Sequence, residues 1–388
     1  MRGERWSGVG RSDAADAASA GSSAAGRALA GREDARLVVL FCSERYDVPT
    51  LLSGVRSVTG AVPLIGCSTA GEIATGGPGD DSVVVMALGG PGFSVRTSVA
   101  RKAGADLRAA GETAAGCMAD LDARPHRALL LLSDALSGDQ RAVVRGAYGA
   151  VGAEVPLVGG CAGDDLRMQR TLQIHGDEVL TDAVVGAAIG SDAPLGIGVS
   201  HGWREVGEPM LVTGSSGNRV LSIDDEPALD VYLRRLDAPA EAHVDPDAFT
   251  MFALTHPLGI SRRSGAEVRF IAGADFTERS LGCVAHVPQG GLAWFMEGDH
   301  DSVLRATEEA CAQALDALSG EPAVALLAFD CIARRGVLGD EGIEQEVEAV
   351  VRRAAGAPVA GFYTYGEIAR TRGTAGFHNQ TLVVLAMA

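Results

Sequence analysis

Pro63-Leu64-Ile65-Gly66-Cys67-Ser68-Thr69-Ala70-Gly71-Glu72-Ile73 returns near the far end of the chain as Pro358-Val359-Ala360-Gly361-Phe362-Tyr363-Thr364-Tyr365-Gly366-Glu367-Ile368. A looser copy, Pro156-Leu157-Val158-Gly159-Gly160-Cys161-Ala162-Gly163-Asp164, is one residue shorter between its glycines and keeps an acid after the last one. Each copy is introduced by an apolar run, Leu37 to Phe41, Ala128 to Leu132 or Val324 to Phe329, and then by a helix-length stretch. In the last of these stretches Ile343, Val347, Val350 and Val351 fall on one helical face. A further strand-like run follows each copy: Ser82 to Leu88, Ala183 to Ile189 and Thr381 to Met387. The unit reads strand, helix, strand, strand. It predicts an α/β fold of two related halves, built from repeated units with mixed sheets and outer helices, whose loops carry the function.

With 388 residues and 47% hydrophobic content, the chain can fill two cores. Residues 1 to 34 read as a disordered low-complexity tail, because Ser12 to Gly31 is dominated by alanine, serine and glycine and offers little to bury. Turn-forming residues from Gly190 to Gly196 suggest a division near residue 194, giving domains over 35–194 and 195–388. Downstream, Glu226-Pro227-Ala228 opens a helix, Val268 to Ile271 and Leu281 to Val287 read as strands, and a helix is expected from about Asp301 to Leu318.

Composition excludes several functions. A net charge of −17 with a single lysine argues against nucleic acid. Seven cysteines without a C-x-x-C pair, and scattered histidines, give no zinc or disulfide framework. Neither a secretory h-region nor an 18-residue apolar window is present, so a cytoplasmic protein without membrane insertion is expected. Thr213 to Arg219 lacks the lysine of a P-loop, and Gly66 to Gly71 is one residue too long for a G-x-S-x-G elbow. No cofactor is expected.

The stretches Asp330-Cys331-Ile332-Ala333-Arg334, Gly361 to Ile368 and His378-Asn379-Gln380-Thr381 resemble the FIST C domain. Gly66 to Glu72, Gly159 to Asp164 and Ile223-Asp224-Asp225-Glu226-Pro227-Ala228 resemble the FIST N domain and the start of FIST C. The resemblance implies an intracellular sensory module of signal transduction that binds a small ligand, with amino acids the suggested class. Because FIST-like sequence reaches to within a few residues of Ala388, signalling is expected to pass through a separate partner protein.

Glu72, Asp164 and Glu367 each follow a glycine at a predicted strand end. Such an acid can hold an ammonium group, or accept hydrogen bonds from the amides of its own loop. Arg334 can grip a carboxylate, or pair with Asp330 or Glu367. Alternation sends Phe362 and Thr364 to one face and Tyr363 and Tyr365 to the other, one pair for the core and the other for a pocket. Cys331 with His378 would suit a thiol enzyme, but a buried apolar filler is the stronger reading. His378 and Asn379 either order the final turn or reach a ligand, and Gly366 offers backbone amides. The expected ligand is a small zwitterion, with Arg334 on its carboxylate, Glu367 on its ammonium group and Tyr363 or Tyr365 along its side chain. Glu72 with Asp164 forms the alternative site. Two competing readings are an enzyme using Cys331 or the acids Glu72 and Glu367, and an interaction scaffold without a small ligand.

Overall fold

The apolar runs that introduce each repeat are the middle strands of three six-stranded sheets. They are buried on both faces, with helices on one side and the other sheets on the opposite side. The computed structural model describes residues 5–262, 265–371 and 376–388. The first unit comprises β1 (Trp6–Ser12), α1 (Ala17–Leu29), β2 (Ala35–Cys42), α2 (Val48–Thr59), β3 (Leu64–Ser68), β4 (Glu72–Ala74), β5 (Gly77–Gly79) and β6 (Val83–Gly89). The second repeats this order as β7 (Phe93–Arg101), α3 (Leu107–Ala115), β8 (His126–Asp134), α4 (Gln140–Val151), β9 (Leu157–Ala162), β10 (Gln173–His175), β11 (Glu178–Leu180) and β12 (Ala183–Ser191).

The third unit opens with β13 (Leu195–Ser200) and is then interrupted by an inserted domain. That domain holds β14 (Arg204–Ser216), β15 (Arg219–Ile223), β16 (Glu226–Pro227), α5 (Ala228–Arg235), α6 (Pro246–Leu254), β17 (Leu258–Arg262), β18 (Gly265–Arg269), β19 (Ile271–Asp275), β20 (Ser280–Cys283) and β21 (Leu292–Glu297). The unit resumes as α7 (His300–Asp316), β22 (Ala325–Cys331), α8 (Ile332–Arg353), β23 (Val359–Thr364), β24 (Glu367–Arg370), β25 (Phe377–His378) and β26 (Leu382–Met387). The N-terminal half therefore holds two units, and the C-terminal half holds one unit with its insertion. Residue 194 lies in the turn between the second and third units. Among the described residues no helix is long and apolar enough to cross a membrane.

Within each unit the strand–helix–strand crossover makes a parallel pair: β2 with β3, β8 with β9, β22 with β23. The unit's last strand returns antiparallel beside the first member of that pair, and its opening strand closes the outer edge. The other edge is filled from elsewhere in the chain. Hairpin β10–β11 of the second unit pairs with β3, β24–β25 of the third with β9, and β4–β5 of the first with β23. The exchange is cyclic.

Six backbone hydrogen bonds close it at the centre. The amides of Ser68, Cys161 and Tyr363 donate to the carbonyls of Leu172, Gly366 and Gly71 at 2.9, 2.8 and 2.9 Å. The carbonyls of Ser68, Cys161 and Tyr363 accept in return from Gly163, Tyr365 and Ala70 at 3.0, 3.2 and 3.1 Å. Phe41, Phe329 and Phe362 meet in the core beneath, with Phe41 and Phe362 ring centroids 4.7 Å apart.

The stretch expected to be a disordered tail forms β1 and α1 instead. β1 pairs with β6 from Trp6↔Gly89 to Ser12↔Val83, and α1 packs on α2 with Asp16 capping its first turn. Composition misleads here because the small residues permit close backbone approach. A Cβ added to Gly8 or Gly10 would lie 2.1 or 2.0 Å from the carbonyl oxygens of Ala28 and Ala24. One on Gly21 or Gly54 would lie 2.3 or 2.1 Å from those of Leu51 and Ala18. Gly111 and Gly146 repeat the device between α3 and α4.

Two substitutions in this stretch should have opposite effects. Gly10→Val drives a side chain into α1 and should cost about 3 kcal/mol in urea unfolding. Gly26→Ala, where an added Cβ meets nothing within 4 Å, should stabilise α1 by about 1 kcal/mol. If both are neutral, this segment does not belong to the fold.

Candidate functional site

Strand register shows what the repeated glycine and acid do. Glu72 and Glu367 each open the exchanged hairpin, paired across from Phe362 and Gly160. Both are fully buried. Glu72 accepts from the Thr69 hydroxyl and from the amide and hydroxyl of Ser82, the latter at 2.6 Å. Glu367 accepts from the Thr364 hydroxyl at 2.5 Å and from the amide and hydroxyl of Thr381 at 3.2 and 2.8 Å. The two carboxylates therefore staple hairpins to the strands that follow them. Their oxygens are engaged internally, so the structure gives no support to the ammonium-binding role expected of them from the sequence.

The third member of this set is Gln173, not Asp164. Gln173 opens β10 across from Cys67, and its side chain accepts from the Ala183 amide at 3.2 Å and donates to Thr171 at 2.9 Å. Asp164 lies earlier, in a loop from Asp164 to Leu172 that stands where the other two units have the single residues Gly71 and Gly366. Its carboxylate accepts from the amides of Met168, Gln169 and Arg170 at 2.9, 2.7 and 2.9 Å and from the Tyr365 hydroxyl at 2.5 Å. Burial pushes this carboxyl up, but those four donors outweigh it and hold the pKa below the ordinary value. Asp164 thus organises its own loop, the internal role weighed for it above. That loop holds Asp165, Leu166 and Met168 at φ of 55°, 62° and 52°, and the side chains of Leu166 and Met168 are 62% and 59% exposed. Left-handed backbone at bulky residues costs roughly 1–2 kcal/mol each.

Arg334 is also internal. It is fully buried, donates to Asp330 at 2.7 Å and Glu346 at 2.5 Å, and reaches Thr307 and the carbonyls of Val303 and His201 with its remaining N–H groups. Burial and then the Glu346 charge push the Asp330 carboxyl well up, while Arg334 overcomes burial to hold Glu346 below its usual range. A guanidinium so engaged is unavailable to a ligand carboxylate. Tyr363 is core, with its hydroxyl buried and unpartnered and the Arg335 guanidinium 5.2 Å from its ring centroid. Cys331 is buried at the start of α8, its thiol pushed well up by burial, so nothing activates it as a nucleophile. His378 bonds the carbonyl of Ala369 at 2.9 Å, which orders the final turn. Gly366 takes a φ of 154° against Phe377, and its carbonyl serves the central ring.

Three predicted residues, Cys331, Tyr365 and Asn379, do border a cavity. Two cavities adjoin above the start of α8 and share Leu166, Phe270, Ile332 and Ala333. The larger, about 610 Å³, is edged by Asp80, Asp81, Asp165, Arg167, Arg335 and Asp340. The smaller, about 320 Å³, is bounded by Leu136, Met168, Val284, Phe377, Tyr365 and Asn379. Both fall within the roughly 300–1,000 Å³ usual for small-molecule sites. Asn379 is only 2% exposed and its side-chain oxygen has no partner. α8 begins at Ile332 with no side chain capping its first turn and breaks at Gly339 (φ 65°), so Ile332 to Leu338 form a short helical segment of their own that borders both chambers. Arg335 projects into the larger chamber, held to Asp80 at 2.5 and 2.6 Å. In that chamber burial, then Asp81 and Asp80, push the Asp165 carboxyl up despite the attraction of Arg167.

Sequence reading missed Arg335, Phe270, Leu166, Met168 and the aspartates around Asp80. Two signals were available. Asp330 at the strand end can pair with Arg334 across the strand–helix junction, which turns the next residue, Arg335, away from that pair. Leu166 and Met168 are apolar residues set among Asp165, Arg167, Gln169 and Arg170 just after a repeat motif.

The FIST N domain model matches residues 36–226 and the FIST C domain model residues 228–370. An uncharacterized protein of Mycobacterium tuberculosis is 27% identical over 389 residues, covering 96% of this chain and 97% of its own length. An uncharacterized Mycobacterium bovis protein is 28% identical over 237 residues, 58% of each chain. A solved structure described as "Cyanuric acid hydrolase: evolutionary innovation by structural concatenation" aligns over 99% of this chain and 100% of its own, with a TM-score of 0.31 and 13% identity.

The buried staples give the protein a measurable pH dependence. Burial pushes Glu72 and Glu367 up to about 7 from an ordinary 4.5. The fold therefore binds these protons more tightly than the unfolded chain does. Their contribution is complete below about pH 4.5 and is lost as pH rises through about 7, up to roughly 3 kcal/mol per group. Glu72→Gln with Glu367→Gln reproduces the arrangement already present at Gln173. The double variant should flatten the decline in urea-unfolding stability between pH 5 and 8 and exceed the parent at pH 8. An unchanged slope would assign the pH dependence to other groups.

Proposed function

Because this chain belongs to the FIST family, whose domains are sensory domains of signalling proteins, we propose that it is a cytoplasmic sensor that binds a small amino-acid-like ligand in the double cavity above α8 and signals through a separate protein. One observation carries this reading: the two largest departures from the repeat meet at this place. The loop from Asp164 to Leu172 has no counterpart in the other units, nor has the domain between β13 and α7, and each supplies wall to both chambers. A repeat that needed only to fold would require neither.

The charges suit a zwitterion. The side-chain amide of Asn379, in the wall of the smaller chamber, can donate to a carboxylate there. Asp80, Asp81, Asp165 and Asp340, only partly balanced by Arg167 and Arg335, favour an ammonium group in the larger one. The seven cysteines are all unpaired and buried, consistent with a reducing compartment.

A thermal-shift screen of the full chain against the common L-amino acids tests the proposal. A ligand at about 100 times its dissociation constant should stabilise the fold by roughly 2.7 kcal/mol. Asp165→Asn should remove most of the shift, and Glu367→Gln should keep it. A ligand whose shift survives Asp165→Asn and is lost in Glu367→Gln would return the site to the buried staples.

A further inference from the structure

We infer that the smaller chamber selects the ligand's side chain, and that the ligand class is an α-amino acid with a large apolar side chain. This rests on the sensor reading above and goes further by assigning each chamber a part of the molecule. Ten large hydrophobic side chains are substantially exposed among the described residues, and four of them, Leu136, Leu166, Met168 and Val284, border the smaller chamber. They come from three separate parts of the chain: the turn after β8, the loop specific to the second unit, and the inserted domain. Phe270, Phe377 and Ile332 line its interior. Convergence of exposed apolar groups from independent segments onto one concave site marks a surface that is covered when occupied.

The head group is set by different atoms. Asn379, 2% exposed with an unpartnered side-chain oxygen, lies in the wall that also holds Cys331, Ile332 and Ala333 at the uncapped start of α8. As an amide it carries an N–H donor beside that oxygen, so a carboxylate in the chamber can accept from Asn379 Nδ2 while the oxygen stays free for a donor of the ligand. With the carboxylate there and the ammonium group toward Asp165, the side chain is left to enter the apolar chamber. Its acidic residue, Asp139, and the exposed Asn218 stand with the lining but not with the Leu166, Phe270, Ile332 and Ala333 set that joins the two chambers. A charged side chain would find one carboxylate, a few neutral polar groups such as Gln140 and Asn218, and a lining that is otherwise mainly apolar.

Titration calorimetry of the full chain with glycine, L-alanine, L-leucine, L-phenylalanine, L-aspartate, L-arginine and L-leucinol tests this. Each buried methylene should tighten binding about fourfold, so L-leucine should exceed L-alanine by at least tenfold. L-Leucinol, which lacks the carboxylate, should lose at least tenfold against L-leucine. Leu166→Ser with Met168→Ser alters exposed side chains that the fold does not need, and should reduce the leucine-over-alanine ratio to within about threefold while leaving the melting temperature unchanged. Asn379→Asp places a carboxylate against the head group and should weaken L-leucine more than Asn379→Ala does. If glycine, L-aspartate or L-arginine binds as tightly as L-leucine and Asp165→Asn abolishes that binding, the sensor reading stands and the apolar selection is wrong. The apolar selection is equally wrong if the leucine preference survives the double serine variant, or if L-leucinol matches L-leucine. If none of the seven binds in a manner sensitive to Asp165→Asn or to the serine variant, both readings fall.

Discussion

Six backbone hydrogen bonds at the centre, made by Ser68, Cys161 and Tyr363 with the neighbouring units, are the constraint on which the rest of the molecule depends. Each of these residues closes one sheet to a hairpin that belongs to another unit. None of the three six-stranded sheets is complete without a second unit, and the cycle returns to its start only through the third. The glycines of the repeat follow from this geometry: Gly66, Gly159 and Gly361 sit where a Cβ would lie 1.9 to 2.3 Å from the carbonyl oxygen of the adjacent central strand. The repeat is therefore conspicuous in the sequence because three sheets must meet closely, and only secondarily because loops there surround a cavity.

The electrostatics follow the same division between holding and receiving. Glu72, Glu367, Arg334, Asp330 and Glu346 are charged or chargeable groups at most 2% exposed, each provided with partners from the protein itself. Burial raises Glu72 and Glu367 to about 7, so near neutrality part of the population of each is protonated. Unit two solves the problem with Gln173, which needs no charge. Groups that can meet something from outside lie one step away in sequence or space: Arg335 beside Arg334, Asp165 beside Asp164, Asn379 beside His378.

That one-step displacement explains how much was legible beforehand. The strands, the crossover helices and the mixed α/β character follow from apolar runs and helical spacing, which depend on neighbours along the chain. The exchange of hairpins does not, because a hairpin that closes its own sheet and one that closes its neighbour's have the same local pattern. Nor does the identity of the acid at each repeat: Asp164 follows its glycine as Glu72 and Glu367 do, but a loop has been inserted between that glycine and the strand, and Gln173 takes the structural place. The N-terminal segment was hidden for a related reason. Alanine and glycine report a lack of bulk to bury, whereas α1 needs that lack in order to lie against β1 and α2.

Hairpin exchange also sets a timetable for synthesis. The Thr75 hydroxyl accepts from the amide of Val359 and donates to its carbonyl, two positions 284 residues apart, so β4 leaves the ribosome long before the strand it must pair with. At about 5–20 residues per second the gap lasts roughly 15 s to a minute, far longer than the microseconds in which a hairpin forms. During that interval the first hairpin presents an unpaired edge. Its outer strand is Gly77-Pro78-Gly79, short and interrupted by a residue that lacks an amide hydrogen, a poor template for any other chain. The waiting edge is β4 itself, three residues long, which limits what can pair with it before β23 arrives.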